Sequence, residues 1–393
     1  MKAKTLVGLV LVLIVLAVMV GFVVHNKKGD GEEKNLGEPL FQNLAVNNIA
    51  LITIIGPDHN LVELKRGKRF WGVVQKYGYP ADFDKIRSLV RRIVELKVGR
   101  AFRGTRQIIA RLKLASPLDS KADPKGYGTL ISLKDANGNE LACIIIGKRH
   151  TLDEAPAGRA GQYVRLSKGE MIYLVDKTFP FIETTPKGWL DKELIEVRPE
   201  NIKKISALKH NGEVLYALVR EKKGKKLRPT KTLIGKKLNL SRINRLERGI
   251  SYLTLLDVIK PKTDLKTLGI DESTYVAYEL FDGLRYKIYT GKSKRDGHDE
   301  YHLKISVDHV RAAKGPEIGS QKDKSKEGKT EPNKDEDELK LRASRLNERL
   351  SPWVFVVSKW SGESFVTDPQ KLVEKESERK QSPARSQKSG KKS

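Results

Sequence analysis

At 393 residues the chain has room for two or three ordinary domains and can bury a sizeable core. Charged residues make up 32% and the formal net charge is +27, which favours anionic partners such as lipid headgroups, nucleic acid, acidic polymers or an acidic protein. The basic residues are spread along the whole chain, so solubility accounts for this charge equally well. The single cysteine, Cys143, excludes an intramolecular disulfide, and within the apolar run 141–146 it reads as a small hydrophobe in a strand.

The chain opens with MKAKT and then LVGLVLVLIVLAVMVGFVV, Leu6 to Val24, nineteen residues without a charge. At about 1.5 Å per residue they span about 28 Å, close to the hydrocarbon thickness of a bilayer. A cleaved signal peptide would have a shorter apolar region and a small-x-small site, for which Met19 and Gly21 make a poor pair. Residues 1–25 are therefore predicted to be a transmembrane signal-anchor, in contact with membrane lipid through residues 6–24. The positive-inside count is nearly tied between Lys2 and Lys4 on one side and Lys27, Lys28 and Lys34 on the other. Anchors of this type usually leave the large carboxyl-terminal part outside the cytoplasm, so a single-pass protein with extracytoplasmic, periplasmic-type domains is expected. Residues 26–44 are polar and Gly-rich and read as a tether.

Beyond the tether the chain carries one pattern in two copies. Asn48-Ile49 with Ile52 matches Asn201-Ile202 with Ile205, and each begins an alternating stretch, a polar turn and a return strand (61–64 and 214–219). Both return strands lead to basic glycine turns, RGKRF (66–70) and KGKKL (223–227). Helical stripes come next: Ile86, Leu89, Ile93 and Leu96 in the first copy, and Ile243, Leu246, Ile250 and Leu253 in the second, 157 residues later throughout. Asp82 and Asn239 are the corresponding N-caps. Leucine-rich stretches (112–114 and 268–270) precede hairpins that turn at Asn137-Gly138 and Asp282-Gly283, dipeptides suited to positive φ. Their return strands, NELACIIIGK and GLRYKIYTGK, both reach Gly-Lys, which reads as the end of each strand. Further strands are expected at 162–166 and 172–175 in the first copy, and at 301–307 and 353–357 in the second.

The predicted fold class is α+β, with an N-terminal transmembrane helix followed by two repeated, mainly antiparallel sheet-plus-helix units of the form ββαββββ. The units are expected over 45–196 and 197–372. The second carries an insertion at 314–337 with almost no apolar side chains, expected to be disordered. Beyond it Leu339, Ala343, Leu346 and Leu350 share one helical face. Residues 373–393 read as a disordered basic tail, with six basic residues and no acid from Arg379 onward.

Several runs in fixed order carry a family resemblance: NNIALITI, GKRFWGV, YPADFDKIRSLVRRIVELKV, TLISLKDANGNELACIIIGKR, GQYVRLSKGEMIYLVD and GWLDKELIEV. With the apolar segment ahead of them, over roughly Asn48 to Val258, they resemble a bacterial family classed as domain of unknown function 4340. The resemblance implies a single inner-membrane anchor and an accessory role in the envelope, often beside ABC-type transporter components, including those of gliding-motility type. It implies no catalytic residue. The long Lys/Glu insertion departs from the family pattern.

Chemistry-bearing patterns are sparse. Gly291-Lys292-Ser293 lacks the P-loop glycine five residues earlier, where Tyr286 stands, and Gly147-Lys148 has Ala142 there. His298 and His302 are four apart, but beside a glycine and leading into a strand they read as a solvated turn and not as a metal face. No cofactor and no metal site is expected, nor a catalytic constellation. The sharpest charge feature is EKKGKKLRPTKTLIGKK, 221–237, whose eight basic residues stand against one acid. Lys222, Lys223, Lys225, Lys226, Arg228, Lys231, Lys236 and Lys237 are candidate contacts for anionic headgroups or an acidic partner, with a solvated turn as the plainer alternative. The stretch has no aromatic interleaving, which ranks nucleic acid below lipid or protein. The expected function is a non-enzymatic, membrane-anchored accessory or scaffold of an envelope complex, with ABC transporter components among its partners. The alternatives are an enzyme acting on a cell-envelope polymer and a basic nucleic-acid-binding protein.

Overall fold

The computed structural model describes residues 36–150, 160–180, 182–230, 233–310 and 334–374, and the chain divides between Asp191 and Lys192 into two compact units. Among the described residues no helix is long and apolar enough to cross a membrane. The anchor expected at Leu6–Val24 and most of the tether lie outside the described residues.

The first unit begins with β1 (Leu51–Ile55), β2 (Leu61–Arg66), β3 (Trp71–Val73) and β4 (Tyr79–Pro80), followed by the helix Phe83–Val94. Then come β5 (Val98–Arg103), a short helix Arg106–Arg111, and β6 (Thr129–Lys134), β7 (Glu140–His150), β8 (Gly161–Leu166) and β9 (Met171–Val175). They form one nine-stranded antiparallel sheet ordered β4-β3-β2-β1-β6-β7-β8-β9-β5.

The second unit contains β10 (Glu193–Ile195), β11 (Ile202–Lys209), β12 (Val214–Val219), β13 (Arg228–Thr230) and the helix Leu240–Arg248. These lead to β14 (Leu253–Thr254), β15 (Asp257–Val258), β16 (Thr274–Leu280), β17 (Leu284–Arg295) and β18 (His298–His309). The helix Lys334–Leu350 and β19 (Val354–Val357) complete it. Its large sheet runs β13-β12-β11-β16-β17-β18-β19-β15, and β10 pairs separately with β14. Omitting β4, the two sheets have the same strand order.

Core residues obey the sequence pattern. Ile86, Leu89, Ile93 and Leu96 are buried, and so are Ile243, Leu246, Ile250 and Leu253. Each helix starts at its cap: Asp82 Oδ1 accepts from Lys85 N at 3.1 Å, and Asn239 Oδ1 accepts from Arg242 N at 3.1 Å. In the first unit Leu114, Leu130, Cys143, Ile145 and Ile172 form one cluster, covered by Ile108, Ile109 and Leu112. Alternation along β7 sends Ala142, Ile144 and Ile146 to the opposite face, also buried, which explains the uninterrupted apolar run. Burial raises the pKa of the Cys143 thiol above its ordinary value. In the second unit Tyr278 of β16 ties helix to sheet by donating to Leu246 O at 2.6 Å.

The repeated Gly-Lys does not end either strand, because Gly147 and Gly291 lie inside β7 and β17. A Cβ at Gly147 would sit 2.3 Å from Leu112 O, and one at Gly291 would sit 2.5 Å from Leu268 O. In each unit the leucine-rich segment crosses this strand in contact with it, and only glycine leaves room.

Other details depart from the expected layout. Both copies gain a short strand after the basic turn and another after the helix. The latter closes the far side of the sheet, β5 beside β9 and β15 beside β19. The opposite border ends at β4 and β13, which contain Pro80 and Pro229. Residues 36–40 of the expected tether dock on the first unit: Leu40 is buried and its N–H donates to Leu96 O at 2.8 Å. Of the insertion expected to be disordered, 314–333 lies outside the described residues, whereas 334–337 open the helix that packs Ala343 and Leu350 inward. The expected tail begins with ordered contacts, since Val373 bridges Leu238. The rest of it, 375–393, lies outside the described residues.

Candidate functional site

The basic stretch falls on two turns. Lys222, Lys223, Lys225 and Lys226 occupy the β12–β13 hairpin turn, made possible by Gly224 at φ +81°, and all four are exposed. None of them forms an ion pair among the described residues. Arg228 opens β13, exposed, with Glu221 at 3.5 Å. Lys236 and Lys237 lie on the next turn, where Lys237 meets Glu374 at 2.6 Å. Lys231 lies outside the described residues.

Sequence reasoning missed the environment of Arg220, the residue just beyond this hairpin's first strand. Its side chain is 4% exposed. It donates through Nε to Lys225 O at 2.5 Å, through Nη1 to Ile202 O at 2.7 Å and to Pro199 O, and through Nη2 to the Glu247 carboxylate. A guanidinium carries five N–H donors, and four bonds of this kind account for most of them. This interior ion pair pins the basic turn to the helix Leu240–Arg248.

The corresponding region of the first unit is open. A groove of about 820 Å³ runs between the helix Phe83–Val94, the β2–β3 turn and residues 46–49. Ile86, Val90, Val94, Phe70, Trp71 and Phe83 supply its apolar lining. Arg66, Lys68, Arg69, Arg87 and Arg91 stand at its margin with a single lining acid, Glu95, and Arg87 is paired with Asp84 at 2.7 Å. That acid is engaged by Lys177 at 3.0 Å, and this hydrogen bond holds its carboxyl below the ordinary glutamate value. Phe83 is 56% exposed and Phe70 45%, a large apolar display along one groove.

The histidines do not form a metal face. His298 begins β18 and is exposed, whereas His302 is fully buried in the same strand, within the stretch 301–307 expected to be a strand, so the solvated turn expected of the pair is not formed. The β17–β18 hairpin extends to Arg295 and His298, farther than the sequence suggested, and carries His302 inside. Its Nε2 lies 2.9 Å from Ser293 Oγ and 3.6 Å from Glu300 Oε2, while Nδ1 has no hydrogen-bond partner among the described residues. Burial lowers its pKa. A Ser-His nucleophile needs a third group orienting the far ring nitrogen; here the nearby carboxylate lies on the serine side. Gly291, Lys292 and Ser293 are mid-strand, where no strand-to-helix turn exists to cradle a phosphate. Among the described residues no group of three or more His, Cys, Asp or Glu side chains could hold a metal ion.

No curated protein and no solved structure matches the chain. The family model described as Domain of unknown function (DUF4340) matches residues 71–273. That span takes in the helix of the first unit, the boundary at Asp191 and the second unit through Ser273, more than half of the 393 residues. The chain therefore belongs to the DUF4340 family.

Proposed function

We propose that this chain is a non-enzymatic, membrane-anchored accessory or scaffold protein of a bacterial envelope complex. In its narrower form the reading is an auxiliary of an ABC-type transporter of the gliding-motility type. The apolar segment Leu6–Val24 supports the anchor, and with a single pass the two sheet units stand on the periplasmic side. The observation that carries the reading is the β12–β13 turn. Its four lysines are exposed and un-neutralised, and Arg220 holds their base rigidly, so the turn presents fixed positive charge to an acidic protein surface or to anionic headgroups.

Crosslinking in intact cells followed by mass spectrometry tests it. Recovery of a transporter or other envelope protein through peptides of the 222–228 turn is the expected result. Repeated recovery of no envelope partner would sink the reading, as would a reporter fused after Ser393 that is active only in the cytoplasm.

A further inference from the structure

The two units carry equivalent arginines in opposite electrostatic situations. In the first sheet Ile52 faces Leu64, and in the second Ile205 faces Leu218, so the residues two positions on, Arg66 and Arg220, correspond. Both backbone N–H groups donate across to the neighbouring chain segment, Arg66 to Ala50 O at 2.8 Å and Arg220 to Lys203 O at 2.8 Å. The N-caps Asp82 and Asn239 fix the helix register, and eight residues beyond each stand Val90 and Glu247. The second unit therefore answers its arginine with an internal carboxylate. The first replaces that carboxylate with valine.

The consequence is the groove. Arg66 is exposed, donates Nη1 to Asn47 O at 2.7 Å, and forms no ion pair among the described residues. Beside it the helix presents Phe83, Val90 and Val94 along twelve residues, about 16 Å of apolar wall. A ligand that completes this site must bring what Glu247 brings in the other unit, an oxyanion, and must also cover hydrocarbon. We propose that the groove binds an anionic amphiphile, with its carboxylate or phosphate on Arg66 and its alkyl chain along the helix Phe83–Val94. The excess of cations at the margin matches the head, and the aliphatic and aromatic lining matches the tail. An acidic peptide fits less well, because its amide groups would be desolvated against those side chains without partners.

The test uses the full chain in phosphatidylcholine nanodiscs, with uptake by protein-free nanodiscs subtracted. The probe is a twelve-carbon carboxylate brominated at its tail, read by quenching of Trp71, which lines the groove. Saturable quenching that disappears in Trp71→Phe is expected. Arg66→Gln should weaken it about 10- to 100-fold, the loss of a charge-assisted hydrogen bond. Val90→Glu, which installs the second unit's carboxylate, should weaken it by at least as much. Each methylene removed from the probe should weaken binding about fourfold. A dodecyl phosphate competing better than dodecanoate would identify a phospholipid-type head, and the reverse a fatty-acid head; either result supports the site. Equal binding by the uncharged methyl ester overturns the proposal, as do non-saturable quenching, displacement by an acidic peptide but not by dodecanoate, or the absence of quenching. Because Val90 is buried, the variant's melting temperature is measured alongside; the exposed Arg66 variant decides the matter if Val90→Glu does not fold.

Discussion

The ion pair between Arg220 and Glu247 yields the sharpest expectation. Glu247→Ala removes the carboxylate that, among the described residues, alone pairs with a guanidinium whose side chain is 4% exposed. At an effective dielectric of 20 a contact pair is worth about 4 kcal/mol of attraction, and stripping one partner from a buried pair costs about 3–5 kcal/mol. The carbonyls of Lys225, Pro199 and Ile202 remain to solvate the cation, so a loss near the lower end, about 3 kcal/mol, is expected. For a unit of about 200 residues, each kcal/mol lowers the midpoint by about 2–4 °C. Scanning calorimetry of the full chain should thus show the second unit's transition about 6–12 °C lower while the first unit's stays in place. Arg66→Ala, at the corresponding but exposed position, should cost less than about 1 kcal/mol. Replacing both Arg220 and Glu247 by apolar residues of similar volume should recover most of the loss. Equal destabilisation by Arg66→Ala and Arg220→Ala, or a Glu247→Ala cost below about 1 kcal/mol, would refute the interior ion pair as the fastening of the turn.

Three further outcomes are expected. Gly147→Ala and Gly291→Ala should each destabilise their unit by about 2–3 kcal/mol in urea melts, since the new Cβ meets a backbone oxygen that cannot move aside; a cost below about 0.5 kcal/mol at both would disprove the close crossing. Reversing Lys222, Lys223, Lys225 and Lys226 to Glu should lower binding to vesicles containing phosphatidylglycerol by about a thousandfold or more, at about 1 kcal/mol per charge; unchanged co-sedimentation would assign the turn to solvent. Burial lowers the folded pKa of His302, so the unfolded chain takes up the proton first as pH falls below about 6.5. Stability conferred by the neutral ring is therefore full above that pH and is lost as pH falls toward the folded value. The melting temperature of the second unit should drop between pH 7.5 and 5, and His302→Gln should flatten that drop; parallel pH profiles for the two proteins would remove His302 as its cause.

The periodic part of the fold was legible in the sequence. Helical stripes such as Ile86–Leu89–Ile93, the caps Asp82 and Asn239, and the turn dipeptides at Gly138 and Gly283 are local signals, and each structure they announce is local. The short strands β3, β5, β13 and β15 carry two to six residues and, as in VGRAFR, place polar and apolar residues without a regular period, so no alternation marks them. They exist because the neighbouring strand offers a ladder, which is a tertiary cause. The groove was hidden for a related reason. Val90 completes an ordinary apolar stripe, and Glu247 sits on an ordinary charged helix face. Only their coincidence at the 157-residue offset, together with a sheet register that places Arg66 and Arg220 in correspondence, makes the contrast visible. The strand at 301–307 was legible but the burial of His302 was not, because the length of the β17–β18 hairpin decides whether it faces water, and hairpin length is poorly marked in a charged sequence.

The proline-bearing borders have a bearing on assembly. A sheet extends from molecule to molecule when its outermost strand offers a long row of free amide hydrogens. Here that position holds only Tyr79–Pro80 in one unit and Arg228–Thr230 in the other, and proline removes a donor from each. Fibre-like growth through this side is therefore blocked in both halves of the molecule. Copies can crowd together without zipping along this side, which leaves recognition to side chains.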